Sequence, residues 1–300
     1  MRIPLDLAET LAAIVDEGSL DAAAARLHLT PSAVSQRLKT LEHQVGRVLL
    51  VRSKPARPTQ AGQAVLRLAR QLALLEHETL AELGADEPSA APISVPLAVN
   101  ADSLGTWFLA PLAELSRTHN VVFDLHRDDQ DFTAGLLESG TVMGAVTSRA
   151  RPVPGCRVVP LGVMRYEAVA TAGFVRRWLP DGPTKAALAA APVVYFDRRD
   201  ELQSQWLAER GVDPALPPRH FVPASADYAQ AVLIGLGWGL LQPTQSADAL
   251  AAGHLVRLGG ATVEVELYWQ QWNLHSPLLD AIAAEIVEQA ASAQLPVASR

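Results

Sequence analysis

Apolar residues recur at helical spacing through the first 45 positions. Leu5, Leu7, Leu11, Ile14 and Val15 predict a helix that stops near Gly18. Ser19 can cap a second, alanine-rich helix, LDAAAARLH. Thr30 and Pro31 open a third, because a threonine hydroxyl caps and proline suits the first helical position, where no N–H is needed. At ~100° per residue from Val34, the residues Val34, Leu38, Leu41 and Val45 fall within about 60° of one another. They predict a buried stripe. Ser32, Ser35, Gln36, Lys39 and His43 lie opposite, between about 100° and 200°. A helix that faces only water ordinarily carries Glu/Lys pairs there. This one carries short hydroxyls, an amide and one firm cation, and it ends at Gly46. A few residues around His28–Thr30 join the second and third helices, which is helix-turn-helix spacing.

The pattern then changes. In VLLVRSKPARPTQAG, Val48–Val51 is β-prone and Pro55 and Pro58 interrupt regular structure, which predicts a two-stranded wing. Thr59 can cap a long helix from about Gln60 to Leu83. Leu66, Ala69, Ala73 and Leu80 give it an apolar seam, flanked by Leu72 and Leu75. A long helix outside a compact domain buries such a seam against a second copy of the chain. GADEPSAAP, residues 84–92, reads as a linker.

Beyond it strands and helices alternate. ISVPLAVN, VVFDLHR and VMGAVTS read as strands around the helices LGTWFLAPLAELSR and DFTAGLLESG. A second series runs RYEAVAT, a helix around Thr184–Ala189, PVVYFD, ELQSQWLAERG, HFVPAS, DYAQAVLIGLG and WGLLQP. VEVELYWQQW and the helix LLDAIAAEIVEQA close the chain. Such alternation predicts parallel α/β units. Two lobes with a chain that crosses over and returns would enclose a cleft. The expected boundaries are 1–58 for a winged helix-turn-helix, 59–90 for the long helix and hinge, and 91–300 for the α/β region. Within the last, lobe I covers about 91–162 plus 267–300, and lobe II about 163–266.

Three hundred residues suffice for two or more domains. No run of 18 apolar residues predicts a membrane span, and MRIPLDLAE lacks the apolar core of a signal peptide. The lone Cys156 excludes an internal disulfide framework and a cysteine-rich zinc site; it reads as inert. A cytoplasmic protein is expected. The net charge of −7 argues against nucleic acid until it is divided. Residues 26–62 hold Arg26, Arg37, Lys39, Arg47, Arg52, Lys54 and Arg57 against Glu42 alone, a local +6. That block, beside TPSAVSQRLK, is the footprint of DNA binding; a merely solvated basic face is the alternative.

Base edges in the major groove need compact donors and acceptors at close range. Ser32, Ser35 and Gln36 supply them, and Gln can address adenine through two bonds. Lys39 can reach a guanine or a phosphate, and Pro31 and Ala33 a thymine methyl. Thr30 opens this face. Arg52, Lys54 and Arg57 position the protein on phosphates rather than specify sequence. Ser32 can also serve as a second cap, and His43, far from the helix N-terminus, reads as simply exposed. Glu42 lies about 80° from Val34, off the reading face.

The order of elements resembles a LysR-type transcriptional regulator over the whole chain. SLDAAAARLHLTPSAVSQRLKTLEHQVGRVLLVR and PTQAG carry most of the likeness. VNADSLGTWFL, MGAV, VVYFD and LYWQQW resemble the arginine/lysine-responsive branch, which controls basic amino-acid export. The resemblance implies an α/β protein with an N-terminal winged helix-turn-helix, a long linker helix and a two-lobed effector domain like periplasmic binding proteins. It implies a homodimer or homotetramer on a pseudo-palindromic promoter site in double-stranded DNA, working with RNA polymerase. It also implies an effector, L-lysine or L-arginine, between the lobes, no cofactor and no metal, and control of an exporter gene.

A basic amino acid presents a carboxylate and two cations. Helix N-terminal amides or hydroxyls suit the first and carboxylates the others. Ser103, Thr147 and Ser148, Asp128 and Asp129, and Asp197 all sit at predicted strand C-termini, where open α/β sheets bind ligands. Asp129 and Asp197 are the candidate cation partners, with Ser225 and Asp227 on a later helix. Each aspartate can instead serve a turn or a cap. Trp107, Trp206 and Trp238 can line the cleft or fill the core. Asp128–Asp129–Gln130 has one acid fewer than the branch's usual pattern, so lysine and arginine both stay open.

Four rivals are weaker. An enzyme would need a motif the chain lacks: there is no GxGxxG, GxxxxGK[ST], HExxH or GxSxG, and the eight histidines have no ligand spacing. A periplasmic solute-binding protein would not carry the basic helix-turn-helix. An architectural DNA-binding protein, or a LysR-type regulator with another effector, would not respond to lysine or arginine.

Overall fold

The computed structural model describes residues 3–51, 53–83, 92–128 and 132–293. No helix among them is long and apolar enough to cross a membrane.

The chain opens with α1 (Leu5–Glu17), α2 (Leu20–Arg26) and α3 (Pro31–Val45). Ser19 Oγ accepts from the Ala22 N–H and Thr30 Oγ1 from the Ala33 N–H, both at 3.2 Å, so the expected caps form. Gly46 ends α3 at φ 70°, a left-handed conformation that glycine adopts without strain. Helix α2 stops two residues short of the expected span, because His28 turns left-handed (φ 53°) to make the corner before α3. Val34, Leu38 and Leu41 are buried in a core with Leu11, Ile14 and Ala23.

Strands β1 (Leu50–Val51) and β2 (Arg57–Pro58) pair antiparallel as the wing. Helix α4 (Gln60–Glu82) follows. Thr59 Oγ1 accepts from the Gly62 N–H (3.1 Å) and donates to the Val48 carbonyl (2.7 Å), so one hydroxyl caps the helix and ties down the wing. A Cβ on Gly62 would stand 2.0 Å from the Leu49 carbonyl oxygen, which gives the glycine of PTQAG its reason. The seam expected on α4 is divided. Leu66 and Ala69 are buried with Val65 and Leu74, because α4 packs along α1, whereas Leu75 and Leu80 are exposed.

Next come β3 (Ile93–Val99), α5 (Ala101–Thr106), α6 (Leu109–Thr118), β4 (Val121–Arg127), α7 (Thr133–Glu138) and β5 (Gly144–Thr147). Then β6 (Cys156–Thr171), α8 (Ala172–Trp178), α9 (Lys185–Ala190), β7 (Val193–Tyr195), α10 (Leu202–Glu209) and β8 (Arg219–Phe221). The rest are α11 (Ser225–Leu233), β9 (Gly239–Leu241), α12 (Pro243–Ala251), β10 (Leu255–Arg257), β11 (Val263–Trp272) and α13 (Pro277–Ser292). One expected helix is two, α5 and α6. Pro111 has no N–H for the Trp107 carbonyl and its ring would clash there, so it is tolerated only in the first turn of a new helix. Strand β6 is far longer than RYEAVAT. Helices α8 and α12 and strand β10 had no counterpart in the expected pattern.

The contacts divide the chain into two units. Unit 1 is Met1–Asn100, Ala110–Val159 and Tyr268–Val287; unit 2 is Ala101–Leu109, Pro160–Leu267 and Glu288–Arg300. The chain passes from unit 1 to unit 2 within β6 and back within β11. In unit 1, β3 lies parallel to β4 and β5, as alternation predicts, but β11 joins β5 antiparallel. In unit 2, β9 and β10 both pair antiparallel with β6, and β7 pairs parallel with β8. The expectation of parallel α/β units holds for β3, β4, β5, β7 and β8 and fails where β9, β10 and β11 pair, since a returning strand can pair antiparallel without a crossover helix.

Candidate DNA-reading face and effector-region sites

Helix α3 presents the polar face its sequence predicts. Pro31, Ser32, Gln36, Lys39 and His43 are exposed, and Ala33 and Ser35 are half-buried. Thr30 Oγ1 serves as the cap and lies 2.9 Å from Ser32 Oγ, so Ser32 supports the cap residue rather than replacing it. Glu42, the single acid on the helix, turns away. Its Oε1 accepts from the Leu49 N–H at 2.9 Å and fastens α3 to the wing. The exposed face thus holds hydroxyl, amide and ammonium groups and no carboxylate to repel phosphate. Lys54 and Arg57 are exposed on the wing, and Arg52 lies outside the described residues.

The α/β region divides the other candidates. Asp128 and Thr147 belong to unit 1, where the Asp128 N–H donates to the Val99 carbonyl (3.4 Å) and the buried Thr147 hydroxyl accepts from the Arg149 N–H (3.1 Å). Asp129 lies outside the described residues. Ser103, Trp107, Asp197, Ser225 and Asp227 belong to unit 2. Asp197 has a turn role: its Oδ1 accepts from the Arg199 (2.7 Å) and Asp200 (3.1 Å) N–H groups, and its Oδ2 is 3.5 Å from the Arg199 guanidinium. Asp227 is exposed in the first turn of α11. Trp206 and Trp238 are fully buried with ring centroids 4.9 Å apart, so they belong to the core. Burial pushes the Cys156 thiol up to about 11, which keeps it protonated and unreactive at neutral pH.

Two cavities in unit 2 carry polar groups. The larger, about 530 Å³, is lined by Trp107, Ser225, Gln242, Thr244 and Gln245 among others. The buried Trp107 Nε1 and Gln242 Nε2 have no hydrogen-bond partner among the described residues; nor has the buried Ser103 Oγ nearby in sequence. The smaller, about 30 Å³, is lined in part by Asp102, Tyr166, Asp200, Gln203, Tyr228 and Gln245. Asp102 accepts from the Tyr166 hydroxyl (2.7 Å) and the Ser225 hydroxyl (2.6 Å), and Gln245 Nε2 reaches Ser225 Oγ at 3.3 Å. Asp200 accepts from the Phe196 (3.0 Å) and Leu202 (3.1 Å) N–H groups. Gln203 Nε2 donates to the Tyr228 hydroxyl (2.7 Å), which also accepts from the Leu240 N–H (2.9 Å). Burial pushes the Asp200 carboxyl up to about 6, against its two N–H bonds and a bond from the Gln203 amide, and helped by the charge of Asp102. Burial and Asp102 push the Tyr166 hydroxyl well above its ordinary value.

Of the expected residues, Ser225 joins this cluster and Trp107 the larger cavity. Asp102, Tyr166, Asp200, Gln203, Tyr228 and Gln245 were missed. Asp102 directly precedes Ser103 and Asp200 follows Asp197 by three positions, so the cluster lies beside two segments that the sequence singled out.

Family models settle the wider question. Residues 5–63 match the bacterial regulatory helix-turn-helix protein model of the lysR family, and residues 96–291 match the LysR substrate binding domain. The chain belongs to the LysR family. This LysR-family chain is 49% identical over 282 residues to the HTH-type transcriptional regulator LysG of Mycobacterium tuberculosis, covering 94% of this chain and 91% of the relative. It is 42% identical to the lysine export transcriptional regulatory protein LysG of Corynebacterium glutamicum, covering 96% and 97%. Among solved structures, ArgP from Mycobacterium tuberculosis matches with TM-score 0.84 at 46% identity, over 98% of each chain. Full-length LysG from Corynebacterium glutamicum with bound effector Arg matches with TM-score 0.75 at 39% identity, over 96% of this chain and 98% of that one. The relatives are transcriptional regulators, not enzymes.

Proposed function

We propose that this LysR-family chain is a regulator that binds promoter DNA through α3 and the wing and responds to lysine or arginine. The observation that carries the effector class is the arginine bound to the Corynebacterium LysG, which aligns over nearly the whole of this chain. On this reading, residues 1–58 form the DNA-binding domain, 59–90 the linker, and 91–300 the effector region. Ser32, Ser35, Gln36 and Lys39 read bases, with Thr30, Pro31 and Ala33 beside them; Arg52, Lys54 and Arg57 hold phosphates. Ser103, Trp107, Asp128, Asp129, Thr147 and Ser225 contribute to the effector region, and Asp197 and Asp227 act at its edge. The protein works in the cytoplasm as a homo-oligomer, with RNA polymerase, to control an amino-acid exporter gene.

A thermal-shift series tests the effector class. A ligand that binds only the folded state raises the melting point, by about 2.7 kcal/mol of added stability at a hundredfold excess over Kd. Lysine or arginine is expected to raise it, and glutamate and leucine are not. A shift with none of the basic amino acids would remove the effector while leaving the DNA-binding reading in place.

A further inference from the structure

The small cavity of unit 2 has an unbalanced chemistry. Asp102 and Asp200 both line it, yet no Lys, Arg or His among the described residues pairs with either. Their bonds come from hydroxyls, backbone N–H groups and, for Asp200, the Gln203 amide, which soften two half-buried negative charges but do not neutralise them. A second, independent feature points the same way. Gln203 is 2% exposed and forms part of the cavity wall; its Nε2 is used by Tyr228, while its Oε1 has no hydrogen-bond partner among the described residues. A buried amide oxygen left without a donor costs about 1–3 kcal/mol unless something fills the need. The unmet demand is therefore all of one kind. The cavity has spare acceptors and spare negative charge, and it needs N–H donors that carry positive charge.

We infer that Asp102, Asp200 and the Gln203 carbonyl form the seat for the cationic end of a basic amino acid, an ammonium or guanidinium group. The inference rests on the effector reading above and gives that effector its charge-selecting residues, in place of Asp197, whose carboxylate is spent on its own turn. The seat lies wholly within unit 2. Tyr166 and Ser225 are positioning residues: each donates to one oxygen of Asp102 and holds the carboxylate at the cavity wall.

Isothermal titration of the full-length protein tests this, with L-lysine, L-arginine and their uncharged counterparts L-norleucine and L-citrulline. The wild type, Asp102→Asn and Asp200→Asn are compared; asparagine keeps the shape and one acceptor while removing the charge. The wild type is expected to prefer lysine or arginine over the neutral counterpart at least tenfold. Each variant is expected to lose at least tenfold in affinity for the basic amino acid and to bind the neutral one no worse. If one variant does not unfold cooperatively, the other decides. Variants that bind lysine and arginine within twofold of wild type overturn the seat and leave the effector reading standing. A wild type that binds neither basic amino acid removes the effector reading itself.

Discussion

Gln36 and Arg57 separate two ways of holding DNA. Gln36 is exposed in the middle of the acid-free face of α3, and its amide offers a donor and an acceptor to a base edge. Gln36→Ala is expected to cost about 1–3 kcal/mol on the specific site and to relax preference at one or two base pairs. Arg57, on the wing, is expected to matter to all DNA alike, and Arg57→Ala to reduce the slope of affinity against salt by about 1. Anisotropy titrations on specific and random duplexes across a salt series measure both; an equal loss on both duplexes for Gln36→Ala would remove its reading role. Asp200 makes a different prediction. Its folded pKa of about 6 lies above the ordinary 3.8, so the native state binds more protons between those values. Its contribution to stability is therefore full below about pH 4 and is lost as pH rises through 6, an amount of roughly 3 kcal/mol. Asp102, Tyr166 and Tyr228 face it, and both tyrosines are pushed up, away from this window. Urea unfolding of the effector-free protein from pH 4 to 7 should show that fall, and Asp200→Asn should flatten it.

At the scale of elements, short-range chemistry was the legible part. Thr30–Pro31, Ser19 and Thr59 set helix starts by bonds spanning three residues, and all three caps form. The two-stranded wing followed from prolines flanking a β-prone run. What depended on partners distant in sequence was not legible. Helix α12 begins with Gln242 and Gln245 bonding each other's ends of the first turn, a capping pattern built from glutamines that hydrophobic spacing does not reveal. The Asp102–Ser225 bond joins residues 123 positions apart, so the sequence pointed to Ser225 without pointing to its partner. Two elements are joined by close contacts that mutation can test. Gly62→Ala would drive a methyl into the Leu49 carbonyl and is expected to cost about 3 kcal/mol or more, against the usual gain from removing a helical glycine. Arg70 is buried on α4 and donates to both the Asp16 carboxylate of α1 and the Gly140 carbonyl (2.8 Å). Arg70→Met keeps the packing but leaves both acceptors without that donor, and chemical denaturation should register a loss of about 2–3 kcal/mol.

Across the whole molecule, charge is unevenly divided along the chain. The basic run 26–62 sits on the helix-turn-helix and wing, while the rest of the chain is net acidic. Effector binding and DNA binding are expected to be linked: a basic amino acid bound in the effector region changes how α3 and the wing hold promoter DNA. Electrophoretic mobility shift on the DNA upstream of the protein's own gene and of any divergently oriented neighbour tests that link most directly, with and without lysine, arginine and norleucine. The expected result is a specific complex whose affinity or mobility changes with lysine or arginine and not with norleucine. A complex that is identical under all conditions, or no specific complex at all, would contradict it.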